Sequence, residues 1–398
     1  MPSPSRRLLA SVGAMALTAS MLAACGSDDS GSDTPAAAAA TGKGAVDLKA
    51  AGCPSTIVIQ TDWNPEAEHG HLYEMFGDDA VIDANKKVVS GTLYSGGEST
   101  GVKLEVRAGG PAIGYTGVAT QMYTDKSITM GYITTDDQIA NSAKTPTKSF
   151  FAPLDLSPLM VMWDPSYYPD VKGPDDIKAA LDESGGVWRY FAGSAYQEYL
   201  ADAGYVSKSS QDSSYDGTPA NFVAAGGKDM QQGFASAEPY LYENEIKQWG
   251  KPVDYALISD FGWDPYQSSM AVRTADFDKL SGCLKAFTPV LQQAEVDYFA
   301  DPTAANDLIL KLVGEYNTGW TYSQGVADYA DKTMIDDKLV SNGDNDTLGD
   351  FDATRMSDFF TKAKETFTKL GTDIDPKLTV DDLYTNEFLD PSIGLPSN

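Results

Sequence analysis

The chain has 398 residues, a formal net charge of −28 and an apolar fraction of 42%, which is a composition typical of a folded globular protein. Such a negative charge disfavours nucleic acid and anionic membrane surfaces as partners. With 2 His and 3 Cys in the whole chain, we expect neither a transition-metal site nor a cofactor.

The first 24 residues have the pattern of a secretory signal peptide. Arg6 and Arg7 precede an apolar run over 8–19, which is shorter than the ~20 residues needed to span a bilayer. Cys25 follows small residues, which resembles the lipobox of bacterial lipoproteins, where the cysteine thiol takes a diacylglycerol. We therefore predict a signal peptide over 1–24 and a lipid on Cys25 that anchors the protein to the extracytoplasmic face of the cell membrane. An ordinary signal peptide with a chance cysteine is the alternative.

Residues 25–54 are predicted to be a flexible tether. From Gly26 to Lys49 the residues are mostly Gly, Ser, Asp, Ala and Thr, and they offer almost nothing to bury. About 350 residues follow, enough for two domains of ordinary size. In an oxidising compartment Cys53 and Cys283 are predicted to form a disulfide, and two unpaired cysteines are the alternative.

The rest of the chain alternates strand-like and helix-like segments. Strands are predicted at 56–60, 102–106, 127–133, 187–191, 234–237, 255–259 and 270–273. Helices are predicted at 66–76, 196–203, 221–233 and 240–249, at a segment that opens with 174–178, and over most of the chain beyond 275. This alternation predicts an α/β fold with mainly parallel sheets.

The turn after the first predicted strand has the position of a binding site. Trp63, Asn64 and His69 lie in this turn and in the first turn of the next helix. In open α/β sheets, ligands bind at the carboxyl ends of strands and beside helix N-termini.

The same segment carries a family resemblance. Asp62, Trp63 and Pro65, followed by His69 and Tyr73, resemble the D-W-x-P and H-x-x-x-Y signature of the thiamine-pyrimidine-precursor, nitrate, sulfonate and taurine group of ABC-transporter binding proteins. Segments 173–177, 230–237 and 258–266 resemble later motifs of that group, in the same order. The chain departs from the pattern at 235–236, where the family has Val-Asp, and over 83–101, which has no counterpart.

The resemblance implies a type II periplasmic-binding-protein fold, with two α/β lobes, a ligand cleft and a double-crossover hinge. Lobe 1 is expected to hold 55–150 and 261–398, and lobe 2 to hold 151–260. It further implies a monomeric binding protein that delivers a small solute to an ABC permease in the membrane and is not an enzyme.

Two other classes of function remain open. A related family uses the same fold to convert its own histidine into a pyrimidine, but that chemistry implies an iron site and a cysteine-rich segment, and this sequence has neither. A lipoprotein that signals or scaffolds through protein contacts is the other alternative.

The candidate ligand-binding residues combine rings with polar groups. They are Trp63, Asn64, His69, Tyr73, Tyr115, Tyr196, Glu238, Tyr240, Asp260 and Tyr266. A carboxylate can accept a hydrogen bond from an amino-pyrimidine but repels nitrate or a sulfonate, and the motif segments contain few basic residues. We therefore predict a neutral or cationic heteroaromatic solute that resembles a pyrimidine. A sulfonate- or nitrate-type anion is the alternative.

Overall fold

The computed structural model describes residues 46–396. The predicted signal peptide, Cys25 and residues 26–45 of the predicted tether lie outside this range. The last part of the predicted tether, residues 46–54, packs on the folded body. Leu48 is fully buried, and its N–H donates to the carbonyl of Thr100 at 3.0 Å.

Twelve strands are described in this range. They are β1 Thr56–Gln60, β2 Val81–Asp83, β3 Val88–Ser95, β4 Glu98–Arg107, β5 Met130–Ile133, β6 Thr147–Phe151, β7 Leu159–Trp163, β8 Trp188–Arg189, β9 Gln211–Asp212, β10 Met230–Phe234, β11 Asp254–Leu257 and β12 Ser269–Arg273.

Eleven α-helices are described. They are α1 Gly70–Glu74, α2 Val118–Thr124, α3 Thr135–Ala140, α4 Pro174–Ser184, α5 Tyr196–Asp202, α6 Ala220–Ala224, α7 Glu238–Tyr240, α8 Phe277–Ala300, α9 Thr303–Tyr316, α10 Gln324–Asp336 and α11 Ala353–Lys369. A π-helical turn, Leu241–Glu245, continues α7.

The strands form two sheets, so the predicted α/β class is confirmed. The first sheet has the order β2-β3-β4-β1-β5-β12-β6, and the second has the order β11-β7-β10-β8-β9. The chain therefore leaves the first sheet after β6 and returns to it at β12. These two crossings are the double crossover that the resemblance implies.

The prediction of mainly parallel sheets is wrong. Within residues 46–396, β1 is parallel to β4 and β5, and β8 is parallel to β9 and β10, but the other pairings are antiparallel. One cause is the β3–β4 hairpin, which the segment 83–101 forms at one edge of the first sheet. The other is the double crossover, because β7 and β12 run against their neighbours.

The boundaries around β10 also differ from the prediction. The helix predicted over 221–233 ends at Ala224, and the strand predicted over 234–237 occupies Met230–Phe234 instead. Gly226 and Gly227 both have positive φ and stop the helix early. Two buried glutamines obscure the strand in the sequence: the Gln231 NH₂ donates to the Tyr242 hydroxyl, and the Gln232 carboxamide oxygen accepts from the Phe191 N–H.

The predicted disulfide is present in the structure. Cys53 lies just before β1 and is bonded to Cys283 on α8, with a Cα–Cα distance of 4.6 Å. Helix α1 packs against α8 and α9, so the bridge lies on the helical side of the first sheet.

Helix α11 belongs to the apolar core beside the second sheet. Its residues Met356 and Phe359 share a buried cluster with Trp163 and Trp188 of that sheet. The family resemblance implies that this helix belongs to lobe 1, and the lobe boundaries stay a prediction.

Candidate functional site

A cavity of about 470 Å³ is lined by segments that follow strands of both sheets. From the first sheet come the turn after β1, the segment 115–120 and the start of α3. The second sheet contributes the residues after β8, the end of β10 and the start of α7. Trp320, in the connection between α9 and α10, also lines the cavity. This is the position at strand ends that open α/β folds use for ligands.

Trp63 is the centre of the aromatic part of the lining. Its ring centroid lies 6.0 Å from that of Tyr115, 6.3 Å from that of Phe191 and 6.0 Å from that of Trp320. The Tyr215 ring lies 4.7 Å beyond Phe191. These five rings come from separate parts of the chain, so the fold assembles an aromatic wall that no local sequence pattern contains.

Two glycines allow the Trp63 ring to lie against the backbone. A Cβ atom on Gly110 would come within 2.8 Å of the Trp63 ring, and Gly110 has a φ of +54°. A Cβ atom on Gly109 would come within 2.2 Å of the carbonyl oxygen of Thr61. The Gly109–Gly110 pair therefore fixes the position of the turn after β1 and of its tryptophan.

The cavity is acidic. Five carboxylates line it, and the described lining residues include no Lys, Arg or His; the acids are Asp62, Glu66, Glu68, Asp137 and Glu238. Burial raises the pKa of Glu66 well above its ordinary value, and the neighbouring charges of Glu68 and Asp62 raise it further. Burial also raises the pKa of Glu238 to about 7, although the Phe234 N–H donates to its carboxylate at 2.7 Å. The negative charges of these groups repel one another.

Glu68 joins the two sides of the cavity. Its carboxylate accepts a hydrogen bond from the hydroxyl of Ser236, which lies just after β10, and both side chains are buried. Burial raises the pKa of Glu68, and the bond from Ser236 opposes that shift. The bond links the turn after β1 to the second sheet, so the two sheets are in contact across the cleft.

Buried polar pairs support the cavity floor. Nε2 of His69 lies 2.9 Å from the Asp62 carboxylate, and Ser268 donates to the same carboxylate. Burial would raise the pKa of Asp62, but the hydrogen bond and charge of His69 outweigh it, so the pKa lies below its ordinary value. The hydroxyl of Tyr132, which also lines the cavity, lies 2.5 Å from Nε2 of His71. Burial lowers the pKa of His71 to about 3, which keeps its ring neutral.

Gln232 presents a donor to the cavity. Its carboxamide oxygen accepts from the Phe191 N–H at 3.0 Å and from the Tyr196 hydroxyl, which fixes the orientation of the amide. The side chain is only 5% exposed, and its NH₂ group donates to no described residue. A donor in this position is available to a ligand acceptor.

Three of the ten predicted ligand-binding residues line the cavity: Trp63, Tyr115 and Glu238. Two others support it from behind, since His69 contacts Asp62 and Tyr196 contacts Gln232. We expect these two side chains to position their neighbours.

The other five predicted residues do not line the cavity, because each packs or bonds elsewhere. Asn64 accepts from the Thr318 hydroxyl at 2.8 Å, and Tyr73 lies in the buried core beside the first sheet. The Tyr240 ring packs against Tyr329, with their centroids 5.8 Å apart. Asp260 accepts from the Leu257 N–H at 2.9 Å in a local turn.

Tyr266 also has a structural role. Its hydroxyl accepts from the Asp352 N–H at 2.7 Å, and the Arg355 guanidinium lies 3.9 Å from the centre of its ring. The motif therefore identified a turn before β12 whose tyrosine contacts the start of α11.

Sequence reasoning missed several lining residues. Glu66 and Glu68 lie inside the motif segment, and the alternation of polar residues at 62, 64, 66 and 68 was a usable signal of an acidic turn. Phe191 ends a predicted strand, which also marked it. Trp320 lies in a connection between helices, more than 250 residues from Trp63 in the sequence, and nothing local indicates it.

The described part of the chain has neither a metal-binding cluster nor a membrane-spanning helix. Within residues 46–396, no group of three or more His, Cys, Asp or Glu side chains is arranged to hold a metal ion. In the same part of the chain, no helix combines the length and apolarity needed to cross a membrane.

Comparisons with known proteins identify the fold. No protein-family model matches this chain, and no curated protein sequence matches it. Among solved structures, a protein from Bordetella bronchiseptica RB50 is similar with a TM-score of 0.50 and 16% identity, over 84% of this chain and 96% of that chain. The periplasmic aliphatic sulphonate binding protein SsuA from Escherichia coli is similar with a TM-score of 0.52 and 12% identity, over 83% of this chain and 92% of that chain. The fold is thus a periplasmic-binding-protein fold, as the resemblance implied.

Proposed function

We propose that this protein is a lipid-anchored, extracytoplasmic solute-binding protein that captures a small heteroaromatic, pyrimidine-like solute and delivers it to an ABC permease. The observation that carries the proposal is the cavity between the two sheets, with Trp63 at its centre. The fold supports it, because a similar fold is present in a periplasmic binding protein. The double crossover supports it as well, because such connections act as hinges when two lobes close around a ligand.

The cavity suits a flat ring with polar edges. Stacking on Trp63 contributes about 0.5–1.5 kcal/mol beyond simple burial. The Glu238 carboxylate can accept from an amino group, and the free NH₂ of Gln232 can donate to a ring nitrogen or carbonyl. Aminopyrimidines carry both kinds of edge group, so one ring can satisfy both side chains.

An anionic solute is disfavoured by the same lining. SsuA is described by its name as a binder of aliphatic sulphonates, but similarity at 12% identity extends to the fold alone. Here a sulfonate or nitrate would enter among five carboxylates, with no Lys, Arg or His among the described lining residues. Such an arrangement costs binding energy.

The lining also favours binding over catalysis. Ser268 lies at the cavity close to His69, but its hydroxyl donates to Asp62, and Asp62 lies between Ser268 and His69. In a catalytic triad the histidine contacts the serine and the carboxylate lies behind the histidine. The order here is reversed, so the histidine is not in position to take a proton from the serine hydroxyl.

Calorimetric titration of the purified protein tests the proposal. The panel contains pyrimidines, flavin fragments, nitrate and taurine, and the variants are Trp63→Ala and, as a matched control, Tyr167→Ala, whose ring is exposed and outside the cavity. We expect a pyrimidine to bind and Trp63→Ala to weaken it at least tenfold, since removing the ring costs roughly 1–3 kcal/mol. Tyr167→Ala should leave the affinity unchanged. Binding of taurine or nitrate alone, insensitive to Trp63→Ala, would contradict the heteroaromatic assignment.

A second experiment tests the anchor. Cys25→Ser should release the mature protein from the membrane or leave it unprocessed, because acyl chains contribute about 0.8 kcal/mol per buried methylene. Fractionation of cells that express either form measures this. Normal processing and unchanged membrane association of the variant would rule out a lipid on Cys25.

A further inference from the structure

We infer that the solute is an organic cation, held by its flat or alkylated charged group among the aromatic rings and carboxylates of the cavity. This inference rests on the proposed solute-binding function and narrows the class of solute. It goes beyond the pyrimidine-like assignment, which leaves the charge of the solute open.

The balance of charge in the cavity is the first argument. Among the described residues that line it, five are acidic and none is basic. Asp62 has His69 as a partner behind the lining, so the four acids without a cationic partner among the described residues are Glu66, Glu68, Asp137 and Glu238. Carboxylates that are buried close together have lost their hydration and repel one another. This costs free energy of folding unless a positive charge lies beside them. Elsewhere in the described chain, Arg189 and Arg273 provide such compensation for buried or half-buried aspartates. In the cavity, a bound cation would take this role.

The aromatic wall is the second, independent argument. Trp63, Tyr115, Phe191 and Trp320 all line the cavity, and the centroid of the Trp63 ring lies within 6.3 Å of the centroid of each of the other three rings. Rings grouped in this way attract an organic cation, with Trp the strongest partner. A metal ion would gain nothing from these rings, and the described residues form no metal-binding cluster.

The free donor on Gln232 completes the description of the solute. Its NH₂ group donates to no described residue and lies on a residue that lines the cavity, so it can bind an acceptor on the ligand, whereas a simple alkylammonium ion offers none. A solute that combines a positive charge with a hydrogen-bond acceptor can therefore satisfy both the carboxylates and Gln232. Protonated or alkylated heteroaromatic amines have this combination.

Three probes of nearly equal size separate the possibilities. Benzamidine is a flat cation, benzamide is its neutral counterpart and benzoate is the anion. We expect benzamidine to bind at least tenfold more tightly than benzamide in calorimetric titration, and benzoate to show no binding. Equal or tighter binding of benzamide or benzoate would overturn the inference, and so would the absence of benzamidine binding at millimolar concentration.

Substitution of one cavity carboxylate tests whether its negative charge holds the cation. Glu238→Gln keeps the shape and the acceptor for the Phe234 N–H but removes the charge. It should weaken benzamidine about 10- to 100-fold and leave benzamide within about threefold. Glu183→Gln on the exposed face of α4 is the matched control and should change neither affinity. An equal loss for both probes would show that Glu238 does not act through its charge, which contradicts the inference.

The pH dependence supplies a further readout. Glu238 faces Glu66 and Glu68 from the turn after β1, Tyr215 from the connection after β9 and Tyr242 from the π-helical turn. Because burial raises the pKa of Glu238 to about 7, a cation should bind about tenfold more tightly at pH 8 than at pH 6. Asp137 also lines the cavity, and burial together with the charge of Asp136 raises its pKa to about 7, so the Glu238→Gln variant should lose only part of this dependence. Affinity that falls as the pH rises would contradict the inference.

The tests of the two proposals fail in different ways. If a neutral pyrimidine binds in a manner that depends on Trp63 while benzamidine does not bind, the solute-binding function stands and the cation inference fails. If no solute of either panel binds, both fail, and a scaffolding lipoprotein becomes the better description.

Discussion

Acidic side chains are treated differently in two regions of this molecule. Beside the second sheet, Arg189 contacts both Asp212 and Asp229, and the Asp229 contact measures 2.7 Å. In the cavity, Glu66 and Glu238 have no cationic partner among the described residues, although they are also partly buried. Arginine therefore pairs with aspartates beside the second sheet, whereas no arginine is among the described residues that line the cavity.

The presence or absence of a cationic partner distinguishes carboxylates that stabilise the fold from carboxylates that we assign to ligand binding. A paired aspartate contributes to stability, or at least costs little. An unpaired, desolvated glutamate lowers stability, and its raised pKa records this cost. Removing one charge should thus have opposite effects on stability in the two regions.

The largest effect is expected from Arg189→Gln. The substitution leaves Asp212 and Asp229 without their shared cation, while Arg189 itself is only 18% exposed. We expect the free energy of unfolding to fall by about 2–4 kcal/mol, measured by urea denaturation. Lys86→Gln, which breaks an exposed pair with Asp83, is the control and should change it by less than about 0.5 kcal/mol. If the free energy of unfolding falls as little for Arg189→Gln as for the control, then the arginine does not stabilise its aspartates and the two regions do not differ in this respect.

The opposite sign is expected from Glu238→Gln in the ligand-free protein. The raised pKa of Glu238 means that the folded state binds this proton more tightly than the unfolded state, so its contribution to stability is lost as the pH rises through about 7. The variant should therefore be more stable than the parent by about 1–3 kcal/mol near pH 8, and the gain should shrink towards pH 5. Thermal unfolding at both pH values measures this, and destabilisation at pH 8 would show that Glu238 already has a partner.

The sequence predicts the class of fold well because strand and helix periods are local. The first strand, the disulfide and the double crossover all follow from patterns or resemblances within short segments. The strand β10 was misplaced because buried glutamines interrupt its apolar pattern. The direction of β7 and β12 depends on which sheet they join, and no local pattern contains that information.

The site was predicted less well than the fold, for a related reason. Trp63 and Glu238 follow strands and could be found by that rule. The rings of Phe191 and Trp320 reach Trp63 only after both sheets and the α9–α10 connection have assembled. Tyr73 and Tyr266 match the motif but serve the core and a crossover, because a tyrosine at a motif position packs as readily as it binds.

The smallest effect on binding is expected from substitution of Gly110, against which the Trp63 ring packs. Gly110 has a φ of +54°, and a Cβ atom there would come within 2.8 Å of the indole ring. Gly110→Ala should therefore displace the ring and weaken binding of a flat cation such as benzamidine about three- to tenfold. Alanine at positive φ also strains the backbone by roughly 1 kcal/mol, so the loss of stability alone does not identify the cause.

Gly114→Ala separates the two causes. Gly114 lies in the same segment with a φ of +61°, but no atom lies within 4 Å of the position that its Cβ would take. The two variants should therefore lose similar stability in thermal unfolding, while only Gly110→Ala loses affinity in calorimetric titration. Equal affinities would mean that the indole tolerates displacement and that the carboxylates alone hold the solute. In that case the cavity would bind cations through charge, and the aromatic wall would serve only to exclude water.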